Sequence, residues 1–277
     1  MADYLRPTSL DEALAALAER PWTLLAGGTD VYPANVGRPI EDDVLDVTGL
    51  PGLRSVAVDG GVVRIPALAT WTDVVRADLP PAFDGLKAAA RSIGGVQIQN
   101  RGTVAGNLCN ASPAADGLPN LMALDGRVEL SSSSGRREVS VGEFVVGNRR
   151  TIRHADELVT AITVPAPSPT AKSTFLKLGS RTYLVISIAS VAAVVDTHEG
   201  RVASARIVVG ACSEVPVRIE AAEARLIGAT ASPSLAGAME PGDVAVLAPI
   251  DDVRGTAAYR RDVALTLIRR AVKELLS

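Results

Sequence analysis

Short apolar runs alternate with helical patterns as far as a proline cluster at 165–169. Ser9 and Glu12 have the spacing of a capping box, which opens an amphipathic helix that continues to about Glu19. The segment Asp59-Gly60-Gly61 separates two apolar runs, which is typical of a β-hairpin. The pattern predicts strands at 22–25, 44–47, 56–58, 62–65, 128–130 and 158–164, and helices at 71–77, 81–92 and 116–124.

After the proline cluster the order of the elements changes. Three strand-like runs come first, at 174–178, 186–195 and 202–209. Helical patterns follow near 217–228, 232–239 and 256–275. Strands followed by helices favour an α+β unit, and the prolines mark the best domain boundary in the chain.

Composition narrows the functional classes. Hydrophobic residues make up 47% of the 277 residues and the net charge is −3, without a basic run. This balance argues against nucleic acid or an anionic membrane as the main partner. No apolar stretch approaches the ~20 residues of a membrane span, and the N-terminus lacks the build of a signal peptide. We therefore expect no membrane span and a cytoplasmic location.

Cysteine and histidine are too scattered to predict a metal site. Cys109 and Cys212 form neither a disulfide framework nor a C-x-x-C pair, which favours a reducing compartment. His154 and His198 lie far from each other and from both cysteines. We expect no metal ion and no iron–sulfur cluster in this chain.

Two glycine-bearing segments carry the most information about function. The first glycine segment, residues 24–30, reads LLAGGTD, and the second, residues 102–116, reads GTVAGNLCNASPAAD. Small residues allow a ligand to approach the main chain closely, and the hydroxyl and amide groups suit phosphate oxygens. Neither segment has the spacing of a Rossmann turn or a P-loop. If the two turns converge, they suit a long diphosphate ligand.

Each segment also has a simpler interpretation. The first is equally consistent with an ordinary tight turn after a strand. The second combines five short polar residues with Val104, Leu108 and Ala111, which favour burial. A buried loop needs partners for its polar groups, and a polar ligand would supply them.

Few side chains suggest catalysis. The chain has no G-x-S-x-G elbow and no H-E-x-x-H motif. Cys109 is more typical of a small core residue than of a nucleophile, and Lys177 fits a surface lysine on an alternating strand. A diphosphate site without acid–base residues indicates a protein whose cofactor carries the chemistry.

At this point the motifs show a family resemblance. The segment 26–30 (AGGTD), together with 103–107 (TVAGN) and 110–116 (NASPAAD), resembles the two flavin-binding motifs of the FAD subunit of molybdenum hydroxylases. This is the medium subunit of the carbon monoxide dehydrogenase and xanthine dehydrogenase family. The similarity extends through 175–181, 188–192, 259–261 and 269–271, so it covers essentially the whole chain.

The resemblance implies an α+β fold with two domains. An FAD-binding domain of the vanillyl-alcohol-oxidase type would occupy 1–168, in two α/β subdomains at about 1–55 and 56–168. A small α+β domain, with a three-stranded sheet and helices, would occupy 171–277.

The resemblance also implies the contacts of the FAD. Backbone amides from Ala26 to Val31 and from Thr103 to Asn107 would hold the diphosphate, and the side chains of Thr103, Asn107 and Asp116 would bind polar atoms of the cofactor. Ile93 would pack near the isoalloxazine, and Val159 and Lys177 would lie near the flavin ring, where a cation stabilises the reduced anionic form. The implied cofactor-binding residues are Leu25, Ala26, Gly27, Gly28, Thr29, Asp30, Val31, Ile93, Gly102, Thr103, Val104, Ala105, Gly106, Asn107, Asn110, Ala111, Asp116, Val159 and Lys177.

Three features depart from the family pattern. Ala105 replaces the first glycine of the usual Gly-Gly pair, a small change that still permits close approach. Val185-Ile186-Ser187 stands where many members have Asp-Ile-Ala. The cysteine-rich loop of the benzoyl-CoA reductase branch is absent.

The implied function is electron transfer, with no catalytic side chain and no metal ligand in this chain. A large molybdopterin-binding subunit and a small subunit with [2Fe–2S] clusters would be the partners, in a dimer of heterotrimers. The FAD would receive their electrons and pass them to NAD⁺, oxygen or a quinone. Two alternatives stay open: a self-sufficient FAD oxidoreductase that resembles the cell-wall reductase acting on a UDP-sugar, and a non-catalytic scaffold.

Overall fold

The computed structural model describes residues 2–277. A small parallel sheet begins the chain, in the order β1-β3-β2, with β1 Tyr4–Leu5, β2 Thr23–Leu25 and β3 Val44–Asp46. Helix α1, Leu10–Glu19, covers this sheet and buries Ala13, Leu14 and Leu17 against Leu45. Strand β2 ends at Leu25, inside the first glycine segment, so the sheet fixes where the glycines of that segment begin.

A second, five-stranded sheet forms the centre of the molecule. Its order is β4-β5-β10-β6-β7, and every neighbouring pair is antiparallel. The strands are β4 Ala57–Asp59, β5 Val62–Pro66, β6 Arg127–Ser132, β7 Gly135–Ser140 and β10 Leu158–Pro165. The resemblance implies an α/β subdomain at about 56–168. This part of the chain does combine helices with a sheet, but all strand pairs of the sheet are antiparallel, which is the α+β arrangement.

Short helices surround the second sheet and carry the chain between its strands. They are α3 Trp71–Arg76, α4 Asp84–Ser92, α5 Val96–Gln99, α6 Val104–Asn110, α7 Gly117–Ala123 and α8 Val141–Phe144, with the two-stranded ribbon β8 Val145–Gly147 and β9 Arg150–Thr151. Helix α2, Val31–Ala34, instead lies between β2 and β3 of the first sheet. Trp71, Phe83, Leu108 and Leu118 are fully buried in the core beneath them.

The C-terminal part contains a four-stranded antiparallel sheet in the order β11-β12-β13-β14. Its elements are β11 Lys172–Leu178, β12 Ala189–His198, β13 Arg201–Gly210, β14 Val217–Arg218, α9 Glu220–Leu226 and α10 Ala257–Leu275, with 3-10 turns at Pro233–Ala238 and Pro241–Val244. The sequence predicts three strands, and the structure corrects this number. The fourth strand, β14, is only two residues long, which is too short to show an alternating pattern. It lies where the sequence predicts the start of a helix.

Both faces of this C-terminal sheet are buried. Successive side chains of a strand point to opposite faces, so Ala192 and Val194 pack into the same core as Phe83 and Leu118. Val191 and Ala193 pack on the other face against α10 and its neighbours. One face of the sheet therefore shares an apolar core with the preceding part of the chain, and the other face covers a separate core.

Two predicted features differ from the structure in detail. Ser9 accepts a bond from the Glu12 amide, but the Glu12 carboxylate accepts from the Thr8 amide at 2.8 Å instead of closing a capping box. The second glycine segment is not a single turn, because its residues 104–110 form helix α6.

No helix within residues 2–277 combines the length and the apolar character that a membrane crossing requires. Over the same residues, no group of three or more His, Cys, Asp or Glu side chains is placed to hold a metal ion.

Candidate functional site

The two glycine segments touch each other through their backbones. A Cβ atom on Gly27 would overlap the carbonyl oxygen of Arg101 and would lie 2.8 Å from its carbonyl carbon. A Cβ atom on Gly102 would lie 3.3 Å from the hydroxyl of Thr29. Segments about 75 residues apart in sequence therefore meet, as the diphosphate hypothesis requires.

The first glycine segment presents a row of free backbone donors. Gly28 has a φ of +72°, and the ring of Tyr32 fills the place where a Cβ would stand, so glycine is required there. Among the described residues, none accepts a hydrogen bond from the amides of Gly27 to Val31. Five consecutive donors without a protein acceptor form a surface that suits an anion.

The second glycine segment is held in place by its neighbours on both sides. Its entry is fixed by two backbone bonds, from the Trp71 amide to Gly102 (3.1 Å) and from the Val104 amide to Ala69 (3.0 Å). Thr103 then caps α6 by accepting a bond from the Gly106 amide at 3.0 Å. The Thr103 hydroxyl is therefore engaged with the protein as a helix cap.

A cleft of about 430 Å³ opens where the two segments meet. This volume lies within the range of small-molecule sites. Fourteen predicted residues line it: Ala26, Gly27, Gly28, Thr29, Asp30, Val31, Ile93, Gly102, Thr103, Ala105, Gly106, Asn107, Asn110 and Val159. The cleft therefore brings together the two segments and two distant apolar residues, Ile93 and Val159, that were predicted to join them.

Five predicted residues do not line the cleft. Leu25, Val104 and Ala111 are buried, and they hold the elements that carry the segments. Asp116 and Lys177 pair with each other instead: the Lys177 ammonium lies 2.7 Å from the Asp116 carboxylate, and both side chains are nearly buried. The Ser187 hydroxyl donates to the other carboxylate oxygen at 2.6 Å. In the structure, Lys177 is thus the partner of Asp116.

Eight residues line the cleft without having been predicted. They are Leu24, Val47, Ala67, Trp71, Ile98, Cys109, Arg153 and Leu158. Most are apolar residues that look like ordinary core positions in the sequence. Arg153 follows β9 and brings a guanidinium to the cleft, and no motif distinguishes it from the other arginines. Burial raises the pKa of the Cys109 thiol to about 11, against the opposing charge of Arg153. The thiol is therefore protonated at neutral pH.

These features fit the diphosphate of a flavin dinucleotide. The free amides of the first segment and those of Thr103 and Ala105, which have no acceptor among the described residues, converge on one cleft. The side chains of Asn107 and Asn110 supply further polar groups beside them. The apolar walls suit flat aromatic rings.

Comparison with known proteins identifies the family. Residues 1–167 match the family described as the FAD binding domain in molybdopterin dehydrogenase, and residues 173–275 match the CO dehydrogenase flavoprotein C-terminal domain. The chain belongs to this family. The predicted family, FAD as the cofactor and the class of oxidoreductase subunit are thereby confirmed.

Relatives of this family match along almost their whole length. The nicotine 6-hydroxylase medium subunit of Paenarthrobacter nicotinovorans is 31% identical over 98% of this chain and 96% of the relative. The carbon monoxide dehydrogenase medium chain of Hydrogenophaga pseudoflava is 28% identical over 98% and 95%. The reconstituted CO dehydrogenase from Oligotropha carboxidovorans superposes with a TM-score of 0.91 at 27% identity, over 100% of this chain and 98% of the solved chain. The predicted fold is confirmed by this agreement.

Proposed function

We propose that this family member is the electron-transfer subunit of a heterotrimeric molybdenum hydroxylase. It takes electrons from the [2Fe–2S] clusters of a small partner subunit and passes them to NAD⁺, oxygen or a quinone. A large molybdopterin-binding subunit oxidises the substrate. The relatives that are named medium subunits or medium chains support this assignment.

The observation that carries the proposal is the row of free amides at the junction of the two segments. The amides from Gly27 to Val31 and those of Thr103 and Ala105 hold the diphosphate of the FAD. Ile93 packs near the isoalloxazine, and Asn107 and Asn110 orient polar atoms of the cofactor. When bound, FAD supplies the ability to receive electrons singly and release them in pairs.

The side chains around the cleft favour electron relay over an independent oxidoreductase. Among the described lining residues, Asp30 is the one carboxylate, and it lies 3.4 Å from the guanidinium of Arg149. A self-sufficient reductase needs a proton donor beside the flavin. A relay needs none, because its substrate is oxidised on another subunit.

The surface near Ile98 supports a multi-subunit assembly. Val96, Tyr183, Leu184 and Ile186 are large apolar side chains that are more than half exposed. Leu184 lies close to Gly95, since a Cβ atom on Gly95 would be 3.7 Å from the Leu184 side chain. The segment that carries Leu184 is therefore next to the segment that carries Val96. Apolar patches of this kind mark interfaces.

We propose that the assembly is a dimer of heterotrimers in the cytoplasm. Within this chain, we propose that the two domains extend over 1–168 and 171–277.

The proposal is tested by cofactor content and by turnover. The purified chain, supplied with FAD, is expected to hold about one flavin per chain and no iron, by absorbance and metal analysis. It should show no turnover with NADPH and small substrates until the partner subunits are added. A colourless chain that cannot be loaded with FAD would contradict the proposal, and turnover by the chain alone would favour the self-sufficient reductase.

A further inference from the structure

The cleft has two ends, which lie at opposite ends of helix α6. At one end, the Ile98 carbonyl accepts a bond of 2.7 Å from the Gly102 amide, just before the helix begins. At the other end, Cys109 and Arg153 line the cleft together. Thr103 and Cys109 are six residues apart, so the helix separates the two ends by about 9 Å.

The two ends differ in access to solvent. Ile98 is 38% exposed and stands at the open end. Val47, Leu158 and Val159 are 5%, 4% and 3% exposed, and they form a closed apolar slot on the Arg153 side. Leu158 follows Glu157, whose carbonyl oxygen accepts from Arg153, and Val47 packs in the same cluster as Leu158. A flavin that exchanges electrons with other molecules has to be reachable, whereas an adenine does not. This argument rests on the proposed function, and it places the adenosine half of FAD in the closed slot.

Arg153 is held in this slot with part of its guanidinium free. Its Nη1 atom donates to the carbonyl oxygens of His154 at 2.9 Å and Glu157 at 2.7 Å. Its Nε and Nη2 atoms donate to no acceptor among the described residues, and no carboxylate there forms an ion pair with it. The neighbouring Glu157 carboxylate is bound by Arg137. Arg153 is therefore oriented by the protein and still has donors to offer.

We propose that Arg153 is the residue by which the cleft selects a dinucleotide over a mononucleotide. Its planar guanidinium stacks on the adenine ring or donates to the adenosine through Nε and Nη2, and both contacts suit arginine better than lysine. Val159 then contacts the adenine, and not the flavin ring near which the family resemblance places it. FMN and riboflavin lack the adenosine and gain nothing from Arg153.

The experiment measures the binding of FAD, FMN and ADP to the full chain by equilibrium dialysis. The variants are Arg153→Leu, Arg153→Lys and Arg150→Leu. Arg150 is the matched control, because it lies on β9, three residues before Arg153, and does not line the cleft. Loss of a hydrogen bond from a charged donor is expected to weaken FAD and ADP about tenfold or more in Arg153→Leu. FMN should stay within about threefold of the wild type, since it makes no adenosine contact.

Arg153→Lys should recover only part of the affinity for FAD and ADP, and Arg150→Leu should bind all three ligands like the wild type. Equal weakening of FAD and FMN by Arg153→Leu, or no effect on FAD, would overturn the proposal. Should Arg153→Leu fail to fold, the selectivity of Arg153→Lys for FAD over FMN decides instead. A wild-type chain that binds ADP but no FAD would refute the proposed function. The ADP affinities of the variants would still test whether Arg153 contacts the adenosine.

Discussion

At the scale of single residues, Gly27 is where the two glycine segments depend on each other. Replacing it with alanine places a methyl group against the Arg101 carbonyl, so one backbone has to move. We expect Gly27→Ala to lower the free energy of unfolding by about 1–3 kcal/mol, and to lose FAD because the amides no longer converge. Urea unfolding and flavin absorbance measure the two effects. Gly237→Ala is the control, since a Cβ there meets open space. A variant that kept its FAD would contradict the assigned diphosphate site.

The pair Asp116–Lys177 gives a second prediction at this scale. Both side chains are nearly buried, so removing one charge leaves the other without a partner. Asp116→Asn and Lys177→Met should each cost about 3–5 kcal/mol of stability, and the double variant should cost clearly less than their sum. Unfolding of the four proteins, without FAD, measures the coupling. Additive costs would show that pairing with each other is not the main role of these residues. Lys177 would then be assigned to the flavin ring, as the family resemblance implies.

At the scale of elements, helix α6 presents the second glycine segment, and its cap sets where it begins. Thr103→Val removes the acceptor of the Gly106 amide, so we expect a loss of about 1 kcal/mol of stability and weaker FAD binding. Thr103→Ser keeps the hydroxyl and should restore both properties. The measurement is thermal unfolding with and without FAD. Equal behaviour of the valine and serine variants would show that the cap is unimportant.

An ion pair across the central strand β10 gives a prediction for pH. Arg64 on β5 lies 2.7 Å from Glu129 on β6, and this guanidinium is the largest of the causes that lower the pKa of Glu129 from 4.5 to about 2. Because the folded state has the lower pKa, the contribution to stability is present above about pH 4.5 and is lost as the pH falls towards 2. Glu129→Gln should therefore cost about 1 kcal/mol at neutral pH, and this difference should fade in acid. A cost independent of pH in unfolding experiments would exclude the ion pair as its source.

Elements with a strong local pattern could be predicted from the sequence, and α10 is the best example. The prediction 256–275 differs from the observed Ala257–Leu275 by one residue, because a long apolar stripe outweighs other signals. Helix α6 could not be predicted, since Gly106 and the short polar residues favour turns. Burial of Val104 and Leu108, together with the Thr103 cap, overrides that preference. Tertiary packing therefore decides where local propensity is weak.

At the scale of the whole molecule, some parts of the candidate site could be predicted from local sequence and others depend on tertiary packing. The free amides of the first segment could be predicted, because they belong to one contiguous motif. In the second segment the prediction is only partly right, since the amides of Val104, Gly106 and Asn107 donate to protein acceptors instead of staying free. Arg153 and the Asp116–Lys177 pair could not be predicted as observed, since each depends on which distant segment folds against it. Asp116 and Lys177 are 61 residues apart, and no local pattern shows that they meet.

The shared core gives the last prediction. The predicted limit at residue 168 separates two parts whose apolar side chains pack together: Phe175, Ala192, Val194 and Val208 lie in the same core as Phe83 and Leu118. A fragment of residues 1–168 would expose that surface, and burying a large apolar side chain contributes about 1.5–3 kcal/mol. The total stability of a domain is about 5–15 kcal/mol, so the loss of several such side chains is decisive. We expect the fragment to be insoluble or unfolded by circular dichroism and to bind no FAD. Adding residues 171–277 as a separate chain should restore folding, whereas a fragment 1–168 that unfolds cooperatively by itself would show that the shared core is not needed.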